Sequence, residues 1–254
     1  MRRLTNCPSD WIVPPVLPAP RTDAADVWRV MLPEIHPLLS RLWPILDPQE
    51  QQRAERFHFQ HDREAFVLRH GVLRVLLGGY LAIAPAAVAM ETAPLGKPRL
   101  RVQPQEQPLR FSLSRSGELA LVAISAGGEL GVDVERLRAE FDYRPIAKSF
   151  LPPDEAAMVR QLPAAEGRRR FFTLWTRMEA CVKATGKGLG EAFHPEKGAA
   201  WCRPLDLPEP SGLTIVDLAP SENYFAALAH FGQCRDCRLW HCDLPRIEAA
   251  LASG

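Results

Sequence analysis

The sequence has no excess of either charge: 31 Lys and Arg stand against 30 Asp and Glu, a net of +1 with pI ≈ 7.7. That balance excludes a protein built mainly to coat nucleic acid, which would carry a strong basic surplus. Long apolar runs are missing too. A membrane-spanning helix needs ~18 or more uninterrupted apolar residues, and the best stretch, Val75 to Met90, is broken by Gly78, Gly79 and Pro85. Arg2 and Arg3 are followed by Thr5, Asn6, Pro8, Ser9 and Asp10, where a secretory signal would place its apolar segment. The expectation is therefore a cytoplasmic protein with no membrane partner. Cysteine supplies no metal framework either. Cys234 and Cys237 form a single CxxC, with Cys242 close behind, whereas a structural zinc site draws four ligands from two separated pairs. These residues read as reduced thiols on or beside a late strand.

What is present is an ordinary globular composition, 46% apolar and 24% charged over 254 residues, enough to bury a large core. Prolines number 24, nine of them before residue 50, so residues 8–22 read as an extended arm. Residues 62–82 place Ala65, Leu68, Val72, Val75, Leu76 and Tyr80 at helical spacing. Residues 168–187 predict a second long helix, stopped by Gly186, Gly188 and Gly190. A shorter helix is expected over 153–162, after Pro152 and Pro153. Leu119–Ile124 and Leu130–Glu135 read as one hairpin, and Tyr224–Leu228 with Arg238–Cys242 as another. Together these predict an α+β fold of two halves, each a long helix on a small, mainly antiparallel sheet. Their expected ranges are 1–125 and 126–254.

Two stretches carry chemistry. In Gly131-Val132-Asp133-Val134-Glu135, strand alternation turns both carboxylates to one face. Such a pair can hold a hard cation such as Mg²⁺, with substrate phosphate completing the shell, although alternating acids also suit a solvated face. Trp175, Glu179 and Lys183 follow at i, i+4 and i+8 and share one helix face. An acid and a base four apart are often only a surface ion pair. Asp plus Glu on a strand also suits a divalent-metal nuclease, but Leu137 stands two residues after Glu135, where such a site commonly has lysine. Arg168, Arg169 and Arg170 fit a solvated helix start about as well as a dock for an acidic partner.

Four blocks in order, Gly-Lys-Pro (96–98), Phe-Ser-Leu-Ser-Arg-Ser (111–116), Gly-Val-Asp-Val-Glu (131–135) and Trp-Thr-x-x-Glu-Ala-x-x-Lys (175–183), give a joint pattern. It resembles the surfactin-synthetase-activating type of 4'-phosphopantetheinyl transferase, from about Arg53 to Leu189. The resemblance implies transfer of the phosphopantetheine arm of coenzyme A (CoA) to a serine of an acidic acyl or peptidyl carrier protein, with release of 3',5'-ADP. Such proteins serve fatty-acid, polyketide or nonribosomal peptide synthesis. It implies Asp133, Glu135 and Glu179 as ligands of Mg²⁺, with Mn²⁺ as its substitute, and a second role of base for Glu179. Asp133, Glu179 and Lys183 are the implied catalytic residues, Lys183 neutralising charge on the leaving phosphate. Arg53, Lys97, Pro98, Ser114 and Arg115 join Asp133, Glu179 and Lys183 in the implied CoA-binding set. The resemblance also implies a monomer whose two similar halves stand in a pseudo-twofold arrangement and meet at the CoA site. Arg115 stands where the family usually has His, and Met178 where Lys is usual. A non-catalytic carrier-protein-binding homologue is the remaining alternative, and it would have no need for the intact Asp133, Glu135, Glu179 and Lys183.

Overall fold

The computed structural model describes residues 10–93, 96–101, 108–186 and 212–252. Four layers can be traced through it. A helix, α4 (Gln60–Leu81), covers one face of a four-stranded sheet ordered β4-β5-β1-β9. The strands are β1 (Ala24–Met31), β4 (Arg110–Ser116), β5 (Leu119–Ser125) and β9 (Asp236–His241). The opposite face of that sheet meets a three-stranded sheet ordered β6-β8-β7. Its strands are β6 (Leu130–Arg136), β7 (Leu213–Leu218) and β8 (Tyr224–Phe231). The last layer is α7 (Ala164–Thr185), whose Ala180 and Ala184 pack on Ile215, Ala227 and Ala229. This is the expected α+β class, with a long helix on each sheet.

Periodicity explains the layers. Val27, Leu121 and Leu239 look inward to Val132, Val134 and Leu228, while Trp28, Val122 and Ile124 look outward to Phe66, Val72 and Leu76 of α4. Both faces of the first sheet are thus covered, and β1 is buried along nearly its whole length. Its one carboxylate inside the core, Asp26, accepts hydrogen bonds from Tyr80 Oη at 2.7 Å, Trp240 Nε1 at 2.7 Å and Arg238 Nη2 at 2.8 Å. These bonds satisfy a charge that burial would otherwise make costly.

Helix boundaries fall close to expectation. α4 ends at Ala82 in the left-handed conformation, and α7 ends at Gly186 with φ 68°. A shorter helix, α6, spans Pro153–Gln161. Gly188 and Gly190 lie outside the described residues.

Both expected hairpins are corrected. β5 pairs antiparallel with β1 and β4, whereas β6 pairs with β8, so the adjacent runs 119–125 and 130–136 enter different sheets. β8 pairs with β6 and β7, whereas β9 crosses to lie parallel to β1. The physical reason is the packing just described. Each apolar run finds its partner where it can bury both faces, and chain adjacency does not decide hydrogen bonding. Cys234 and Cys237 sit in the core between the sheets, and Cys242 packs beside α4. Burial pushes Cys234 up to about 11 and Cys242 up to about 12. They are packing residues.

Candidate active site

β6 lies with one edge on β8 and its other edge against the face of β4. On that second side, serine hydroxyls replace backbone acceptors. The N–H groups of Val132, Val134 and Arg136 donate to the Oγ atoms of Ser112, Ser114 and Ser116 at 3.1, 3.3 and 3.0 Å. On its outer face β6 meets α7 through Gly131. A Cβ there would lie 2.9 Å from the Lys183 carbonyl carbon and closer still to Ala180 O and Ala184 N. Only glycine lets the helix backbone approach so near. The approach brings Glu179 and Lys183 over Asp133 and Glu135.

Asp133 is the centre of the arrangement and is 4% exposed. Its Oδ1 accepts from Ser114 Oγ at 2.9 Å and from Lys183 Nζ at 2.6 Å, and Lys183 also donates to Ser114 Oγ at 2.9 Å. Asp133 Oδ2 is buried and has no hydrogen-bond partner among the described residues. Glu135 Oε2 accepts from Ser116 Oγ at 2.7 Å. Burial pushes the Glu135 carboxyl up, and the Asp133 charge adds to the rise against the opposing Ser116 hydrogen bond. Burial likewise raises Glu179; Asp133 and Glu135 add to that, and Lys183 opposes it. Three carboxylates therefore share one poorly solvated site with a single close ammonium.

That donor set fits a hard divalent cation: three carboxylates, one with an orphaned buried oxygen, suit Mg²⁺ better than a softer metal. Among the described residues no three acidic, His or Cys side chains are already gathered at ligating geometry. The Lys183 ammonium instead lies on Asp133.

The other implied residues divide between two places. Arg53 and Arg69 lie over the Phe66 ring, 5.4 and 4.8 Å from its centroid, and Arg115 Nη2 is 3.6 Å from Asp62 Oδ1. Arg69 is half-buried. Its pKa is pulled down to about 10, by burial first, then by Arg115 and Arg53, with Asp62 opposing. Among the described residues these three guanidiniums are offset by one acid, Asp62, which leaves a local excess of positive charge suited to an anion. No motif in the sequence marks Arg69. The available signal was a cation following the apolar run Ala65–Leu68 in the middle of a buried helix.

Lys97 stands apart from both groups. Its ammonium donates to Glu129 Oε2 at 2.7 Å, Leu130 O at 3.2 Å and Ala184 O at 3.2 Å, which uses all three of its protons. The Gly-Lys-Pro block forms the turn between β2 (Met90–Thr92) and β3 (Pro98–Leu100), with Gly96 at φ 91° and Pro98 opening β3. Lys97 thus stitches this hairpin to β6 and to the C-terminal end of α7.

Trp175 stacks on Phe171 at 5.8 Å and meets Phe150 edge-on at 5.7 Å, so its ring serves an aromatic cluster beside the acids. Met178 is buried, 3% exposed. Each arginine of the 168–170 run has a partner within the chain: Tyr143 under Arg168, Phe225 under Arg169 and Glu155 paired with Arg170.

Comparison with known families gives two matches. Residues 129–226 match the 4'-phosphopantetheinyl transferase superfamily model, and residues 32–127 match the 4'-phosphopantetheinyl transferase N-terminal model. The chain belongs to the 4'-phosphopantetheinyl transferase superfamily. It is 34% identical over 220 residues to the 4'-phosphopantetheinyl transferase HetI of Nostoc sp., covering 87% of this chain and 93% of that one. A putative 4'-phosphopantetheinyl transferase of Synechocystis sp. is 31% identical over 84% of this chain and 88% of its own length. The 4'-phosphopantetheinyl transferase psf-1 of Bacillus pumilus is 30% identical over 72% and 78%.

Proposed function

We propose that this enzyme transfers the 4'-phosphopantetheine group of CoA to a serine of an acyl or peptidyl carrier protein, with release of 3',5'-ADP. The observation that carries the reading is the shared Asp133 carboxylate. One oxygen is held by Ser114 and Lys183 while the other is buried without a partner among the described residues, beside Glu135 and Glu179. Asp133, Glu135 and Glu179 would hold Mg²⁺, or Mn²⁺ in its place, and the bound ion offsets the negative charge of the pyrophosphate. Glu179, raised by burial and by Asp133, is suited to accept the carrier serine's proton. Lys183 stabilises the departing phosphate. In the balanced reaction the serine oxygen forms a bond to the pantetheine-side phosphorus. The P–O bond to 3',5'-ADP breaks, and the leaving phosphate takes the electron pair.

Arg53 and Arg115, joined by Arg69, take the 3'-phosphate. Ser114 and Arg115 are neighbours on β4, one reaching the acids and the other the arginines. Pro98 and Lys97 border the CoA path on the β2–β3 side, and Lys97 would reach a phosphate only by giving up Glu129. The division into halves at 125/126 is part of the reading, although β9 returns to the first sheet. A carrier with an acidic face, action as a monomer and a cytoplasmic setting complete the reading. Incubation with apo carrier protein, CoA and Mg²⁺ tests it. The mass gain of the phosphopantetheine arm is expected on the carrier, and its absence, with CoA intact, overturns the assignment in favour of a carrier-binding homologue.

A further inference from the structure

The three serines of β4 do more than close a strand edge. Ser114 and Ser116 each accept a β6 N–H and donate their own proton to a β6 carboxylate, Ser114 to Asp133 at 2.9 Å and Ser116 to Glu135 at 2.7 Å. A hydroxyl has one proton and two lone pairs, so its donation to the acid is directed by the bond it accepts from the strand. For Ser116 the bond accepted is 3.0 Å from Arg136 N, the residue after Glu135. The strand position that fixes the Glu135 backbone therefore also fixes the rotamer of its carboxylate. Ser114 shares its acid with Lys183, whereas among the described residues Ser116 alone donates a hydrogen bond to Glu135.

We propose that Ser116 is a positioning residue: it holds the Glu135 carboxylate in the orientation in which that group binds the divalent ion. The inference rests on the Mg²⁺ reading of the three acids. It commits to one oxygen donor on β4 as the partner behind a ligand, where removal typically weakens metal affinity by ~10–100-fold.

The test measures Mn²⁺ binding directly, by the loss of its free-ion electron paramagnetic resonance signal, on the full chain without CoA or carrier. Ser116→Ala, Ser116→Cys and Ser116→Thr are compared with the unaltered protein. Cysteine keeps the volume while leaving only a weak donor, so it carries the comparison if alanine loosens the strand joint too far to fold. Ala and Cys should weaken Mn²⁺ by ~10-fold or more, and Thr should restore it. The Mg²⁺ concentration for half-maximal transfer should rise in parallel, with kcat at saturating Mg²⁺ and the KM for CoA little changed. A purely structural seam would lower thermal stability and kcat without moving Mn²⁺ affinity, and that result overturns the proposal. If the unaltered protein binds no Mn²⁺ and transfers without divalent metal, the metal reading itself fails, and it is seen to fail before any variant is made.

Discussion

Replacing Gly131 by alanine tests how the active site is assembled. The new methyl carbon would lie 2.9 Å from the Lys183 carbonyl carbon and nearer still to Ala180 O and Ala184 N, whereas ordinary contact begins at 3.4 Å. All three obstacles are backbone atoms of one helix, so no side chain can rotate away. α7 must withdraw from β6 by something on the order of 1 Å, because packed interiors have no slack to absorb the methyl. Overpacking of this kind costs ~1–3 kcal/mol, which for a chain of this size lowers Tm by ~2–12 °C. The catalytic loss should be larger than the stability loss suggests. Glu179 and Lys183 ride on the displaced helix, while Asp133 stays with β6, and the Lys183–Asp133 bond is now 2.6 Å. Misplacement by ~1 Å costs about 10²-fold in rate when geometry is what the protein supplies. Transfer to an apo carrier should therefore fall by about 10²-fold at temperatures where the variant is fully folded. Transfer within ~threefold of the unaltered enzyme, with a Tm drop of less than ~1 °C, would refute the close approach as the device that builds the site.

Arg69→Ala should raise the KM for CoA by ~10–100-fold, the scale of one lost charge-assisted contact, and leave dephospho-CoA almost unaffected; equal losses for both substrates would remove Arg69 from the 3'-phosphate site. Lys183→Ala should lower kcat by ~10²–10³. Since Lys183 holds the Glu179 carboxyl down, its removal lets that group rise further, and the acid limb of the rate profile should move to higher pH. His230, wholly buried with its Nε2 on Ser125 Oγ at 3.1 Å, is pushed down to about 4 by burial. The unfolded chain binds the proton more readily, so stability should decline as pH falls from 6.5 to about 4, by up to about 3 kcal/mol. Urea titrations across that range check the slope, which should flatten in His230→Gln.

Local signals in the sequence were legible wherever chain continuity carries the information. The apolar spacing of α4, the Pro152–Pro153 start of α6 and the Gly186 stop of α7 are each decided within a turn or two. The strand pairings were not. β1 is covered on both faces, so Ala24–Met31 lacks the alternation by which a half-exposed strand is recognised. Likewise nothing in the connection after Ser125 reveals that β6 will seek β8 rather than β5. Among site residues, Asp133, Glu135, Glu179 and Lys183 sit on two elements with clear periodicity, whereas Arg53, Arg69 and Arg115 come from α3 (Pro48–Glu55), α4 and β4. No spacing rule connects positions 53, 69 and 115; only tertiary packing on Phe66 and beside Asp62 does.

The same reasoning explains why Phe-Ser-Leu-Ser-Arg-Ser is informative despite its plain composition. On an edge strand, alternate residues face opposite sides. Ser112, Ser114 and Ser116 turn to β6, where they complete its hydrogen bonding, and two of them also orient acids. Phe111 joins the core under α4, and Arg115 reaches Asp62 of that helix. Six residues thus couple the acidic group to the arginine cluster through one rigid strand. A substrate with phosphates at two separated points needs such a fixed spacing between its two binding groups. Residues much bulkier than threonine at the serine positions would part β6 from β4. The first consequence would be a change in the distance between the Asp133 carboxylate and the Arg115 guanidinium, before either group is itself altered.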